Sequence, residues 1–469
     1  MLTSSARGFR RAAALLYTPA VKANPRLVAV RTLREIDQRA GFSNRILSDQ
    51  LERHLELDRR DRGLVTTLVY GVLRHRARLD KLIDSFADKP RKIKGELREI
   101  MRVAAFEIVE LERPLAIANS EASKLAKRID PHGRLSGMLT AILSMIDRDW
   151  PIMDVALQDG DVVDGLRFRW SLPRWLAKRW VAQLGPEQAL ARGRALAEIP
   201  TVDLRVDLHR SDAAAMREAL AAELPSLQFI DLPEAAGAQP QCLRVRGGGD
   251  LFYGPSFEQG LISVQSLGSQ QAVRVLDPQP GQRVLDACAG MGTKTVQIAE
   301  HMQRRGAIVA VDLSGERLAE LDGQRERTGL GQAELSLEII ETDLSADSGH
   351  ASLAEASFDV VLLDAPCTGL GNLARHPELR WTAVEANIGE RAALQGALLD
   401  RCAALVRVGG RIVYAVCSLE PEEGEQVVAA FLASERGRGF ERELVQAWTP
   451  EQHATDGFWL ARLVRSPAA

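Results

Sequence analysis

From about residue 257 onward, five nearly continuous apolar runs alternate with helical stretches, and that pattern leaves few folds open. The runs cover residues 283–288, 307–313, 335–341, 358–364 and 411–415. Strands that are apolar on both faces belong in a parallel sheet covered by helices on each side. The alternation predicts a doubly wound, Rossmann-like α/β domain over residues 257–469, with its ligand edge at the carboxyl ends of the strands.

The preceding sequence has other periods. Residues 24–150 read as an all-helical domain. Leu27, Val30, Leu33 and Ile36 recur at helical spacing, as do Leu64, Val65, Leu68, Val69, Val72 and Leu73. A third stripe is Leu97, Ile100, Met101, Ala104, Ala105 and Ile108, and two more helices fit residues 117–129 and 135–146. Such stripes are bundle core. Residues 150–165 read as a linker. Residues 165–256 form a small α/β domain, with strands at 202–208 and 241–245, a helix at 213–222, and Gly247, Gly248 and Gly249 in a turn. Residues 1–23 are expected to be a flexible N-terminus. A chain of 469 residues accommodates such a multidomain arrangement.

The net charge of -3 conceals an asymmetry. Residues 1–150 carry 29 Lys+Arg against 19 Asp+Glu, and no acid precedes Glu35. A basic module joined to an acidic one suits a polyanion held at one end, against the plainer reading of a solvated basic surface. Arg74, Arg76 and Arg78, then Lys89, Arg91, Lys92 and Lys94, are candidate phosphate contacts. Trp170, Trp175 and Trp180 are interleaved with Arg174, Lys178 and Arg179, a mixture that serves equally to stack bases or to pin one domain onto another. No apolar run reaches membrane-span length, so no membrane partner is expected. Five widely spaced cysteines without a CxxC pair fit reduced thiols in the cytoplasm and no metal site.

The first strand of the C-terminal domain runs into Asp286-Ala287-Cys288-Ala289-Gly290-Met291-Gly292-Thr293-Lys294. Small residues in such a turn let a ligand approach the backbone. The spacing is not that of a phosphate-binding P-loop, because Gly290 precedes Lys294 by only four residues, and GxGxxG is incomplete. Asp312, Asp343 and Asp364 close the second, third and fourth strands. One strand-end acid is as often a helix cap as a ligand group. Three acids converging on one sheet edge beside this loop suit a ligand with a ribose and a base but no phosphate, such as S-adenosylmethionine.

Cys367 follows the fourth strand in Asp364-Ala365-Pro366-Cys367-Thr368-Gly369, and Cys417 follows the fifth in Val416-Cys417-Ser418-Leu419-Glu420-Pro421-Glu422-Glu423. Neighbouring strands lie about 4.8 Å apart, so both thiols can open into one cleft. A cysteine after a strand is usually a small core filler; two at equivalent strand ends point to chemistry. A thiolate adding to carbon 6 of a cytosine makes carbon 5 nucleophilic enough to accept a methyl group. Asp364 is placed to act as the acid near ring nitrogen 3, and Lys294 is a cation able to favour a thiolate.

These motifs, with Arg375-His376-Pro377-Glu378 and Asp456-Gly457-Phe458-Trp459, resemble the RsmB/Sun family, which makes 5-methylcytosine in small-subunit (16S) ribosomal RNA. The likeness covers nearly the whole chain. Through residues 62–74, the N-terminal part is similar to a NusB-type RNA-binding domain, and the C-terminal part to a class I methyltransferase. The resemblance implies that Cys417 is the nucleophile and that Cys367 assists proton removal and product release. It implies that Cys288, Ala289, Gly290, Met291, Gly292, Thr293, Lys294, Asp312, Arg317, Asp343 and Asp364 hold S-adenosylmethionine. Arg375 and His376 are candidates for the RNA entrance, and a monomer is expected. The chain departs from the family in two places. The loop pattern Cys-Ala-Ala-Pro-Gly-Gly-Lys has Met291 for Pro and Thr293 for a Gly, and Val-Gln-Asp becomes Val264-Gln265-Ser266. The competing readings are the same chemistry on transfer RNA or another RNA, and a non-catalytic RNA-binding assembly factor.

Overall fold

The helical periodicity of the N-terminal third is realised as a bundle whose most buried element is its fourth helix. The structure is a computed structural model describing residues 23–39, 41–158, 160–247, 251–331, 334–346 and 349–466. Residues 1–22 of the expected N-terminal tail, and Gly248 and Gly249 of the expected turn, lie outside the described residues. The chain divides into two compact units, Met1–Gly160 and Asp161–Ala469. Among the described residues, no helix is long and apolar enough to cross a membrane.

The first unit contains α1 (Pro25–Arg39), α2 (Ser43–Arg53), α3 (Arg59–Phe86), α4 (Glu96–Val109), α5 (Leu115–Ile129) and α6 (Arg134–Gln158). Asp58 starts α3 by accepting the Asp61 N–H at 2.9 Å, the usual N-cap device. Its stripe Val65, Leu68, Val69 and Val72 is buried against α4, which hides every residue from Ile100 to Val109. Burying α4 on all sides requires its charges to be paired. Glu107 accepts both arms of Arg26 (2.8 and 2.7 Å), and Arg102 grips Asp80 (2.8 and 2.7 Å).

Two expectations need correction in this unit. Arg74, Arg76 and Arg78 do not form a phosphate-facing patch. Arg74 is buried, and desolvation lowers its pKa to about 10. Arg76 makes a two-pronged pair with Asp37 at 2.6 Å, and Arg78 binds Glu110 at 2.5 Å and Asp154 at 3.1 Å. Lys89, Arg91, Lys92 and Lys94, by contrast, are exposed between α3 and α4. The expected linker is mostly helix. α6 continues through Pro151 because Arg78 tethers it to α3 through Asp154 and lies 5.7 Å over the Trp150 ring.

The second unit holds two sheets. The smaller has the order β2-β3-β1-β4, all antiparallel: β1 (Val202–Val206), β2 (Gln228–Ile230), β3 (Cys242–Arg246) and β4 (Ile262–Val264). Its fourth strand therefore comes from beyond residue 256. Leu204, Val206, Val245 and Ile262 pack with Met216 and Leu220 of helix Ala213–Glu223.

The larger sheet has the order β10-β11-β9-β8-β5-β6-β7. Its parallel part is β5 (Arg283–Asp286), β6 (Gly306–Asp312), β7 (Leu335–Glu341), β8 (Phe358–Asp364) and β9 (Val406–Val416). Chain order reverses at β5, with β6 on one side and β8 on the other, and this makes the edge beyond β5 the ligand-binding position of such folds. β9 begins five residues earlier than its apolar run suggests. Arg407, Gly409 and Gly410 precede the run, and the register with β8 shifts between Phe358 and Val360. β10 (Phe440–Trp448) and β11 (Phe458–Arg465) add an antiparallel pair at the edge that the sequence reading lacked.

Gly71 of α3 meets the Phe106 ring of α4 so closely that a Cβ there would stand 2.0 Å from it. Gly71→Ala is expected to cost about 1–3 kcal/mol by overpacking, read as a lower urea midpoint by circular dichroism. An unchanged midpoint would show that the two helices separate freely.

Candidate active site

The turn after β5 gets its shape from two left-handed glycines. Gly290 has φ 55° and Gly292 has φ 82°. A side chain at Gly292 would also collide with Leu321, 2.2 Å from its Cδ1. Thr293 begins helix Thr293–His301 and is not among the positive-φ residues, so its Cβ is no obstacle to the turn. Met291 is exposed, and its carbonyl accepts the Gln324 amide at 2.6 Å. The Ala289 N–H donates to Val311 O at 2.8 Å, tying the turn to β6.

Asp312 shapes the other wall. One of its oxygens accepts the Gly290 N–H at 2.8 Å, and the other accepts the Ser314 N–H at 2.9 Å. Asp286, at the end of β5, takes the Thr295 hydroxyl on Oδ2 at 2.7 Å, while its buried Oδ1 has no partner among the described residues. Burial raises its pKa to about 6. An orphaned buried carboxylate oxygen beside a turn with free approach at Gly290 is the polar lining expected for a nucleoside ligand. Asp343 is exposed and accepts both the N–H and the hydroxyl of Ser345 (2.9 and 2.6 Å), which hold its pKa low. The Arg317 side chain is exposed on helix Gly315–Thr328, whose cap is Ser314.

The cysteines meet. Asp364 of β8 lies opposite Ala415 of β9, and the Cys367 and Cys417 sulfurs are 3.2 Å apart. The hydrogen bond to Cys417, then burial, pushes the Cys367 thiol well above its ordinary pKa, with the Glu423 carboxylate adding to the effect. Lys294 reaches Asp364 Oδ2 at 2.5 Å. Burial opposes the Lys294 charge, but Asp364 outweighs it and, with Asp286 and Cys417, holds the ammonium pKa above its usual value. Burial raises Cys242 and Cys402 to about 12 and Cys288 well above its usual range, which marks these three thiols as inert.

Other expected residues have internal employment. The Arg375 guanidinium donates to Asp456 at 2.5 Å and to Thr201 O at 2.8 Å, so it braces the loop instead of standing free at an entrance. His376 lies 3.3 Å from Glu378. Trp180 is buried, with its indole N–H on Glu420 at 2.9 Å, and Arg179 binds Glu420 and Glu422. This cluster therefore pins helix Arg174–Leu184 to the turn behind Cys417 and does not offer Trp180 to a base. At Ser266 the side chain makes no cap for helix Leu267–Leu276, and Asp203 of β1 accepts the Leu267 N–H at 2.9 Å.

Two groups escaped the sequence reading. Arg205, 1% exposed, pairs with Glu300 (2.7 and 2.9 Å), donates to Gln265, and reaches the Thr293 carbonyl at 3.2 Å. Glu423 is fully buried and accepts the Thr368 N–H (2.7 Å) and the Ser418 hydroxyl (2.6 Å). The crowding of Glu420, Glu422 and Glu423 after an apolar strand was the available signal.

Comparison with known proteins agrees with this architecture. Residues 273–464 match the family model "16S rRNA methyltransferase RsmB/F", and residues 23–148 match the NusB family. A Bacillus subtilis protein named "Probable ribosomal RNA small subunit methyltransferase B" is 30% identical, covering 94% of this chain and 99% of its own length. The "Ribosomal RNA small subunit methyltransferase B" of Pseudomonas syringae pv. tomato is 31% identical, covering 95% and 98%. The crystal structure of a methyltransferase homolog protein from Pyrococcus horikoshii is 26% identical with a TM-score of 0.55, covering 65% of this chain and 99% of that one.

In the folded protein, iodoacetamide is expected to alkylate the partly exposed Cys417 at least about tenfold faster than the buried Cys242 or Cys402, as buried thiols react slowly. Peptide mass mapping measures this, and comparable labelling of all three would contradict the burial described.

Proposed function

This chain belongs to the RsmB/F family of 16S rRNA methyltransferases, and we propose that it moves a methyl group from S-adenosylmethionine to carbon 5 of a cytosine in small-subunit ribosomal RNA. The observation that carries the cytosine-5 reading is the 3.2 Å approach of the Cys367 and Cys417 sulfurs beside the Lys294–Asp364 pair. Simple methylation of an amine or hydroxyl needs no thiol; a carbon that must first be made nucleophilic does.

The residues present fit the cofactor. Gly290 and Gly292 open the backbone, Asp286 offers an unused acceptor oxygen, and Asp312 stands at the end of β6, where a ribose is gripped in folds of this type. When bound, S-adenosylmethionine supplies an electrophilic methyl carbon. Cys417 adds to carbon 6 of the base. Asp364, hydrogen-bonded to the Lys294 ammonium, passes a proton from that ammonium to ring nitrogen 3, which leaves the amine neutral and stabilises the electron-rich ring. Cys367 assists removal of the carbon 5 proton, after which the bond from Cys417 to carbon 6 breaks. The target base must leave its stack to reach strand ends in this position. The exposed Lys89, Arg91, Lys92 and Lys94 are the phosphate contacts favoured in the NusB-like unit.

RNA carrying 5-fluorocytosine should trap the wild-type protein in a denaturant-resistant adduct, because the fluorine cannot be removed as a proton. With unmodified RNA, Cys367→Ala should accumulate adduct and Cys417→Ala should form none. The reverse pattern would exchange the two roles, and no adduct with wild type would favour a non-catalytic binding factor. Changing Lys89, Arg91, Lys92 and Lys94 together to alanine should flatten the dependence of log affinity on log salt by up to about 3. Arg76→Ala, whose guanidinium is already bound to Asp37, should leave that slope unchanged.

A further inference from the structure

Where the family pattern Val-Gln-Asp has its acid, this chain has Ser266, and the start of helix Leu267–Leu276 shows what stands in its place. Ser266 is the N-cap residue of that helix, and its side chain makes no capping hydrogen bond. An aspartate there would put a carboxylate over the first turn. A carboxylate already lies over that turn, from another strand. Asp203 of β1 runs beside Gln265, whose N–H donates to the Asp203 carbonyl at 3.0 Å, and its side-chain Oδ2 accepts the Leu267 N–H at 2.9 Å.

Asp203 is buried, so its charge has to be matched. Arg244 of β3 donates to both of its oxygens, at 2.6 and 3.1 Å. Arg375, from the loop that follows Cys367, lies 3.9 Å from Oδ2. Arg375 also donates to Asp456 at 2.5 Å and to Thr201 O at 2.8 Å, and Arg244 donates to the Ala454 carbonyl. The cluster thus sets two guanidiniums against two carboxylates. From Asp456 the connection continues into the site. The next residue, Gly457, donates to Gly371 O at 2.9 Å, and the Gly371 N–H donates to the Cys417 carbonyl at 3.0 Å. The first turn of the helix closes on the same loop, since a Cβ at Gly268 would stand 2.7 Å from Phe458. A charge in the small sheet is therefore tied both to the loop after Cys367 and to the backbone of Cys417.

We propose that Asp203 is a positioning residue that replaces the acid missing at Ser266 and, through Arg375, holds the loop after Cys367 in place beside Cys417. Without its carboxylate, two guanidiniums would be left with one acid between them, and Arg375 would turn away from β1 and draw its loop along. Positions 203 and 266 are interchangeable for this purpose because both deliver an oxygen to the same helix start. The bearing on catalysis rests on the function proposed above; the relocation of the carboxylate does not.

The test is the rate at which diamide joins the two sulfurs in the full-length protein without RNA or cofactor; the reagent takes up both thiol hydrogens as the S–S bond forms. Mass spectrometry of unreduced peptides measures the link between Cys367 and Cys417, which the wild type should form. Asp203→Asn keeps an oxygen for the Leu267 N–H and removes the charge. The linking rate should fall about tenfold, the scale of loss expected when reacting atoms are slightly misplaced. In that background Ser266→Asp, which returns a carboxylate to the helix start, should bring the rate back to within about threefold of wild type. Ser266→Asn caps a helix as well as aspartate does but carries no charge. It should raise the thermal midpoint and leave the rate low, a difference that a purely structural role for Asp203 does not produce. An unchanged rate in Asp203→Asn, no recovery with Ser266→Asp, equal recovery with Ser266→Asn, or a wild type that forms no link would each overturn the proposal. Should Asp203→Asn not fold, recovery of folded protein by Ser266→Asp and not by Ser266→Asn is the expected result, and recovery by both or by neither overturns it. Methyl transfer to 16S rRNA is scored separately. Linking that responds as described in a protein that transfers no methyl group leaves the relocated carboxylate standing and removes the function proposed above; methyl transfer with a linking rate indifferent to Asp203→Asn does the opposite.

Discussion

The parallel register between β8 and β9 is the constraint on which the site depends. With Asp364 opposite Ala415, the chain leaves both strands at the same level, and Cys367 and Cys417 are carried into the same space. That register is set by the core. Val361, Leu363, Ile412, Tyr414 and Val416 belong to the apolar cluster on one side of the sheet, and Val360, Leu362, Val413 and Ala415 to the cluster on the other. A slip by one residue would turn every one of these side chains to the wrong face. The thiol geometry is thus a by-product of ordinary hydrophobic burial, refined by hydrogen bonds. The Gly371 N–H donates to the Cys417 carbonyl at 3.0 Å, and Gly457 donates to Gly371 O at 2.9 Å. A Cβ at Gly371 would stand 2.2 Å from Gly457 O, so the approach of these loops is closer than any other residue allows.

Much of this was legible because it is local. Apolar runs at 335–341 and 358–364 gave their strands to the residue, and Gly290 and Gly292 marked the turn. What escaped depends on partners far away in sequence. Nothing near Arg76 announces Asp37, and nothing near Trp180 announces Glu420, which lies 240 residues on. Arginine in a helix reads as a solvated charge until its carboxylate is known. β10 was missed for a different reason. It is an edge strand rich in Glu and Arg, with most of its residues at least partly exposed, so it has no apolar run to read.

Charge is handled consistently across the second unit. Arg205, Arg244 and Arg304 are buried, and each faces a carboxylate: Glu300, Asp203 and Asp207. Arginine suits these places because its planar fork serves two or more acceptors and keeps its charge when desolvated. Arg205 has a wider effect, since it joins β1 to Glu300 and to the Thr293 carbonyl at the start of the helix that follows the glycine turn after β5. The small sheet therefore supports the ligand edge of the large one.

The arginine pairings also limit what can be transplanted. Glu420, Glu451 and Glu300 belong to the catalytic half by sequence, yet their guanidinium partners Arg179, Arg192 and Arg205 come from upstream of residue 257. Severing such a pair strands a desolvated anion, at a cost of about 3–5 kcal/mol each. A graft that carried only the Rossmann-like portion into another protein would arrive with three orphaned acids, one of them in the turn behind Cys417. The portable cassette of this chain starts no later than helix Arg174–Leu184, and gene fusions that respect that boundary keep the charges matched.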